Sequence, residues 1–229
     1  GPPTITPTAV TRQAGSPISN STSATVNDVE SGAAGVTVTV TSANPSNGVT
    51  VSNIVNTSGT VTASVVAACG ATAASFTLTA TDGGGLTATA TLNVTVNPNP
   101  APTLTYNSAA VQVNGATTVN PATGPVDNGS IASIVVQSLG TYTGTISVNS
   151  AGVVSISAAT PLGSHTITIR ATDDCGATTD TALALDVSST QTPGLALGYS
   201  FDETNGTVAN DSSGNGNPAT LNSGVTRVP

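Results

Sequence analysis

Two cysteines, one histidine and a scatter of turn-borne acids are the residues of this sequence whose types could do chemistry. His165 is the sole histidine, so any Ser–His–Asp or Cys–His nucleophilic site would have to use it. It abuts the alternation Thr166-Ile167-Thr168-Ile169, and it is expected as a surface residue at a strand end rather than a catalytic base. No Cys/His cluster has zinc-ligand spacing. Gly83 to Gly85 sit between two strand patterns, which makes them a hairpin turn and not a phosphate loop opening a helix. Asp82, Asp173 and Asp174 lie in such turns, where Asp ahead of Gly ordinarily organises the backbone. The alternative for them is calcium, which needs roughly six to eight converging oxygens. Asp202, Glu203, Asp211 and Asn215 form a denser oxygen set and are the better calcium candidates; no other metal or cofactor is expected. Asn20, Asn56, Asn93, Asn128, Asn205 and Asn210 satisfy the Asn-x-Ser/Thr acceptor pattern for sugar. In a chain this rich in Asn, Ser and Thr, such tripeptides also arise by chance. These residues point to a protein that is not an enzyme.

The elements that must hold these residues are strands. Val, Ala, Leu and Ile alternate with Thr and Ser along most of the chain, as half-buried strands require. Aromatic residues are 2% of the whole, so the core is built of small aliphatic side chains. Charged residues are only 6%, against roughly 25% in ordinary soluble proteins. There is no Lys, and Arg12, Arg170 and Arg227 stand against eleven acids for a net charge of −8. That balance excludes nucleic acid and anionic membranes as partners, because both require clustered cations. No run approaches the roughly 20 apolar residues that span a bilayer, so membrane insertion is not expected. The chain carries neither an initiator Met nor a signal peptide and reads as a processed or excised piece, with Gly1-Pro2 equally suited to a protease scar.

An internal repeat organises the chain. Ala80-Thr81-Asp82 recurs as Ala171-Thr172-Asp173, an offset of 173 less 82, or 91. At that offset Gly85 meets Gly176, Thr87 meets Thr178, Leu92 meets Leu183 and Val96 meets Val187, while Phe76 and Leu78 fall on Ile167 and Ile169. Each copy closes with a hairpin: 76–80 turning at Asp82 to Gly85 and returning over 86–96, then 166–172 turning at Asp173 to Gly176 and returning to Val187. Further strands are predicted over 36–40, 49–55, 61–66, 131–136, 143–148 and 153–156, with turn residues every 8–12 positions or so, as in a sandwich. The predicted fold is all-β: two tandem Ig-like antiparallel β-sandwiches over 1–98 and 99–188, and a C-terminal β segment over 189–229. Asn97 to Pro102 form a stiff, Pro-rich joint between the copies.

The stretch Thr166-Ile-Thr-Ile-Arg-Ala-Thr-Asp-Asp-Cys-Gly-Ala-Thr-Thr-Asp180 resembles the closing hairpin of bacterial extracellular Ig-like and cadherin-like repeats. That resemblance covers residues 1 to 188 and implies a long secreted or surface-anchored protein. Residues 195 to 229, with Tyr199-Ser-Phe201-Asp-Glu and then Asp211-Ser-Ser-Gly-Asn-Gly, resemble the opening of a laminin-G-like, concanavalin-type jelly roll, of which only the beginning is present. Leu195, Leu197, Tyr199 and Phe201 fall on one strand face. A lone strand of this kind is unstable in water and must open a further domain, dock on its own, or complement a neighbouring subunit.

Within such an architecture Cys69 precedes the penultimate strand of the first copy, and Cys175 sits in the last hairpin of the second. With about seven strands per sandwich, antiparallel order brings both to the end where the copies join, which predicts a disulfide clamp. Two free, partly buried thiols are the alternative, disfavoured in an oxidising compartment. The function expected is that of a non-catalytic extracellular structural protein, a stalk or fibre-forming subunit of a bacterial surface or secreted filament. Its expected partners are copies of itself in a linear assembly and, through glycosylation, glycans. An adhesin or carbohydrate-binding module of a larger secreted protein is the alternative, marked by exposed aromatics or calcium; an accessory piece of an extracellular enzyme is a third.

Overall fold

The computed structural model describes residues 1–189, 197–200 and 207–220. The first copy forms β1 (Thr4–Pro7), β2 (Val10–Gln13), β3 (Ser19–Asn27), β4 (Thr37–Val40), β5 (Val49–Thr57), β6 (Thr60–Ala67), β7 (Ala74–Thr81) and β8 (Thr87–Asn97). The second forms β9 (Thr103–Thr105), β10 (Ala109–Gln112), β11 (Thr117–Val119), β12 (Thr123–Val126), β13 (Ile131–Ser138), β14 (Thr145–Val148), β15 (Val154–Ser157), β16 (Gly163–Asp173) and β17 (Thr178–Ser188). The tail adds β18 (Val208–Ala209) and β19 (Ala219–Thr220), and the 3-10 turn Ala33–Gly35 is the only helical stretch among the described residues.

These elements pack as two compact units. Unit 1 is Gly1–Leu104 with Thr123–Ile134 and Arg170–Asp180; unit 2 is Thr105–Ala122, Val135–Ile169 and the described residues from Thr181 onward. The first copy within unit 1 is a sandwich of two four-stranded sheets, ordered β1-β3-β6-β5 and β2-β8-β7-β4. Pairing is antiparallel except that β2 runs parallel to β8, with Val10 opposite Val94. Period-2 alternation sends Val61, Ala63, Val65 and Ala67 inward from β6 to meet Phe76, Leu78 and Ala80 from β7 and Leu92 and Val94 from β8. Phe76 is the one aromatic side chain in this core; the rest is aliphatic, as the composition requires. Arg12, on β2, braces the two sheets: its guanidinium donates to the carbonyl oxygens of Val65 (2.9 Å) and Ser19 (2.9 Å) and to Ser21 Oγ (2.8 Å). Removal of that guanidinium from water lowers its pKa.

The second copy repeats the arrangement, with sheets ordered β10-β17-β16-β13 and β11-β15-β14 and a small β12-β9 pair. β10 runs parallel to β17 with Ala109 opposite Leu185, and Leu185 lies 91 positions after Val94, so both copies place the parallel ladder at the same point of their closing strand. Unit 2 buries Tyr142, Val154, Ile156, Ile167, Leu183, Leu185 and Val187. The β3 strand escapes the alternation rule because its inward positions are Ser23, Ala24 and Val26, and a bulge between Thr22 and Ala24 shifts the period. The β9 to β12 strands are only three or four residues each, too short for a period to register, and β12 contains Gly124-Pro125.

Candidate functional site

The two closing hairpins are built by one set of bonds. In the first, Gly85 N–H donates to the Asp82 carbonyl (3.2 Å), Asp82 N–H to the Leu86 carbonyl (3.0 Å), and Leu86 N–H to Asp82 Oδ1 (2.9 Å). In the second, Gly176 donates to Asp173 (3.2 Å), Asp173 to Ala177 (3.0 Å), and Ala177 N–H to Asp173 Oδ1 (2.7 Å). Gly85 and Gly176 take φ of 84° and 87°, the left-handed conformation that turn position needs. Each Asp therefore organises its own turn. What differs is burial: Asp173 is buried, and its Oδ2 accepts from Asn99 Nδ2 at 2.7 Å. Burial by itself would raise the Asp173 pKa, but the bonds from Asn99 and from the amides of Ala177, Cys175 and Gly176 prevail and hold it below the ordinary carboxylate range.

Within unit 1 this second turn carries a disulfide. Cys175 is bonded to Cys69, in the loop between β6 and β7, with Cα atoms 5.2 Å apart and a sequence separation of 106. The bridge lies against Gly15, at φ 77°; a Cβ there would stand 2.5 Å from Cys175 Sγ and 2.8 Å from Asn99 Oδ1. Around it Asn128 Nδ2 donates to the Ala14 carbonyl (2.9 Å) and to Ser16 Oγ (3.0 Å). Ser130 Oγ donates to Asp174 Oδ2 (3.0 Å), and Thr179 Oγ1 donates to the Pro102 carbonyl. A cavity of about 490 Å³ opens beside the bridge, lined chiefly by Cys69 to Ala73, Val96, Pro98 and Asn99. Asn99 Oδ1, Asp127 Oδ1 and Asn128 Oδ1 are buried without a hydrogen-bond partner. The chemistry available here is structural: a covalent and hydrogen-bonded knot, with no nucleophile–base pair among the described residues around it.

His165 corrects an expectation. It is buried, not a surface residue: its side chain stands at the head of the β16 pattern. Nε2 lies 2.8 Å from the Pro161 carbonyl, so it carries the proton donated there, and in the neutral ring Nδ1 accepts from Thr141 Oγ1 at 2.8 Å. The ring meets Tyr142 edge-on at 5.7 Å. Both nitrogens are engaged within unit 2. The signal was present in the sequence: counting back in twos from Ile169 and Ile167 reaches 165, and the repeat offset maps 165 onto Ala74, an inward position of β7 with the same alternation after it.

The remaining candidate residues separate by their surroundings. Asn56 is half-buried and donates to the carbonyls of Ala33 and Val36 (2.8 and 2.7 Å) while accepting from Gly59 N–H (2.8 Å); Asn128 is likewise engaged. Asn20, Asn93 and Asn210 are exposed, and Asn93 Oδ1 accepts from Ser75 Oγ at 2.8 Å. Asn205 lies outside the described residues, as do Leu195, Phe201, Asp202 and Glu203. In the tail, Leu197 is exposed and Tyr199 forms a bridge with Asp211. Asp211 Oδ1 accepts from the amides of Gly198 (3.0 Å) and Ser213 (2.8 Å), and Oδ2 from Asn217 N–H (3.0 Å); the Ser213 side chain first, and then these amides, hold its pKa well below the ordinary range. Asn215, the remaining calcium candidate, bonds Ser213 Oγ. Arg170 and Asp180 pair twice (2.6 and 2.7 Å), and among the described residues no helix is long and apolar enough to cross a membrane.

Residues 1–95 match the family model described as a bacterial Ig domain. No curated protein sequence matches the chain. Among solved structures, titin domains Z1Z2 in complex with telethonin align with 18% identity and a TM-score of 0.43, over 82% of this chain and 98% of that one. Protocadherin gamma B2 cadherin domains 3–6 align at 19% identity and a TM-score of 0.34, covering 81% of this chain, which spans half of theirs. The human desmocollin-1 ectodomain aligns at 13% and 0.32, over 85% and 36%. The laminin-G-like resemblance of the tail has no counterpart among these matches. With a bacterial Ig match over the first copy and the same parallel-edged sheet order in the second, the fold is all-β and built of Ig-like sandwiches.

Proposed function

We propose that the chain is a non-catalytic, extracellular structural segment, a stalk or fibre-forming subunit of a bacterial surface or secreted filament. The observation that carries this reading is the Cys69–Cys175 bridge, which ties the closing hairpin of the second copy into the packed unit of the first. A disulfide over so long a separation suits an oxidising compartment, and its surroundings are structural rather than reactive. The engagement of both His165 nitrogens supports the absence of catalysis. The proposed domain plan is one Ig-like sandwich per copy, 1–98 and 99–188, followed by the tail. The proposed partner is another copy of the chain, received through the tail strand around Leu197 and Tyr199. Asn20 and Asn93 are the proposed sugar acceptors in the sandwiches, because the amides of Asn56 and Asn128 are held in bonds that a glycan would break.

Electron microscopy of the native protein, beside a version truncated after Ser188, tests this reading. Filaments formed by the native chain and lost on truncation are expected. Dispersed single molecules in both preparations would remove the fibre reading and leave a stalk.

A further inference from the structure

We propose that the Cys69–Cys175 bridge is an extension limiter, a covalent bypass that keeps residues 70–174 out of any tension passed along the chain. The proposal rests on the structural reading above and adds how such a segment would bear load. Cys69 lies after β6 and Cys175 lies between β16 and β17, so the enclosed loop holds every strand from β7 to β16. Among the described elements, pulling on the two ends acts only on β1 to β6, on β17 and on the tail strands β18 and β19. The core of the first sandwich is thereby divided: Val10, Val26, Val61 and Val65 lie on the loaded side, and Phe76, Leu78, Leu92 and Val94 lie inside the loop.

Two parallel ladders stand at the boundary between loaded and protected chain. β2, loaded, is paired along Val10–Gln13 with β8, inside the loop; β17, loaded, is paired along Leu185–Ser188 with β10, inside the loop. β17 is paired on its other side with β16, also inside the loop; when these ladders part, the β7–β8 hairpin and the strands β9 to β16 remain behind the covalent bond. The chain therefore yields in part and then stops. Cys69 is exposed, Cys175 is half-exposed, and the cavity beside them admits a small reductant, so the limiter can be released chemically. A phosphine does so by taking oxygen from water: the S–S bond becomes two thiols, and the phosphine becomes its oxide.

Single-molecule stretching of the native chain, held at its two ends, reads the device directly. Of 229 residues, the 105 from 70 to 174 are bypassed and 124 extend, so the oxidised chain reaches a contour length of about 410–450 Å. In phosphine, and in the Cys69→Ser plus Cys175→Ser double variant, the expected length is longer by about 350–380 Å. That increment depends on covalent connectivity and holds whether or not the double variant folds. Equal contour lengths with and without reductant would overturn the limiter. A missing filament in the microscope, with the increment present, would overturn only the fibre reading.

Discussion

Gly15 shows how much of this molecule turns on single positions. Its positive φ and the Cys175 sulfur 2.5 Å from any Cβ leave no room for a side chain. Gly15→Ala is expected to cost about 1–3 kcal/mol, from backbone strain and overpacking together, read as a lowered urea midpoint. His165 makes a second prediction. An exposed strand-end histidine would tolerate alanine within about 0.5 kcal/mol. The buried ring, with Thr141 and Pro161 as partners, makes His165→Ala cost about 2–4 kcal/mol, measured the same way. The burial of His165 was legible in the period-2 pattern and in the repeat, yet its polarity argues for the surface; the two rules conflict, and packing decides. Arg12 was not legible as an inter-sheet brace, because its acceptors are three backbone carbonyls and a hydroxyl set by the fold rather than a nearby acid.

At the scale of elements, the closing hairpins are the best-read parts. Asp, Gly and alternating Thr in both copies specify turn, register and inward face locally, and each feature of one is found 91 positions later in the other. The strands at the start of each copy were poorly read, because short or Ser-rich segments such as β3 and β9 to β12 acquire their conformation from neighbours across the sheet. The bridge belongs to this scale, since it joins an inter-strand loop to a hairpin turn. In the loop-entropy model a bridge closing about 100 residues contributes roughly 4–5 kcal/mol, so reduction is expected to remove up to that much stability and lower the melting temperature clearly. Calorimetry with and without phosphine checks it; an unchanged transition would show that the thiols are not paired in solution.

For the whole molecule, pH is the informative variable. Asp28, Asp173, Asp180 and Asp211 are all held below the ordinary carboxylate range: by the Ser31 amide at Asp28, by Asn99 and turn amides against burial at Asp173, by Arg170 at Asp180, and by Ser213 and turn amides at Asp211. The unfolded chain therefore binds protons at a higher pH than the folded chain. This stabilisation is present in full above the unfolded value, near 4, and is lost as pH falls through the lower folded values. Thermal melts across pH 2–7 should show a plateau at the neutral end and a decline beginning near pH 4. Asp173→Asn should lower the plateau and flatten the decline.

The sequence by itself determined what is local or periodic: an all-β chain, two copies at an offset of 91, hairpins closed by Asp and Gly, and a charge balance hostile to nucleic acid. Composition and alternation suffice for these because they depend on residues a few positions apart. Only the tertiary structure decided what depends on distant segments meeting. It made Gly15 the seat of the bridge, drew Asp173 under Asn99, took the Asn56 and Asn128 amides out of reach, and turned His165 inward to its two partners. None of those partners is marked by spacing, since each is supplied by a loop or backbone group whose position exists only once the sheets have packed.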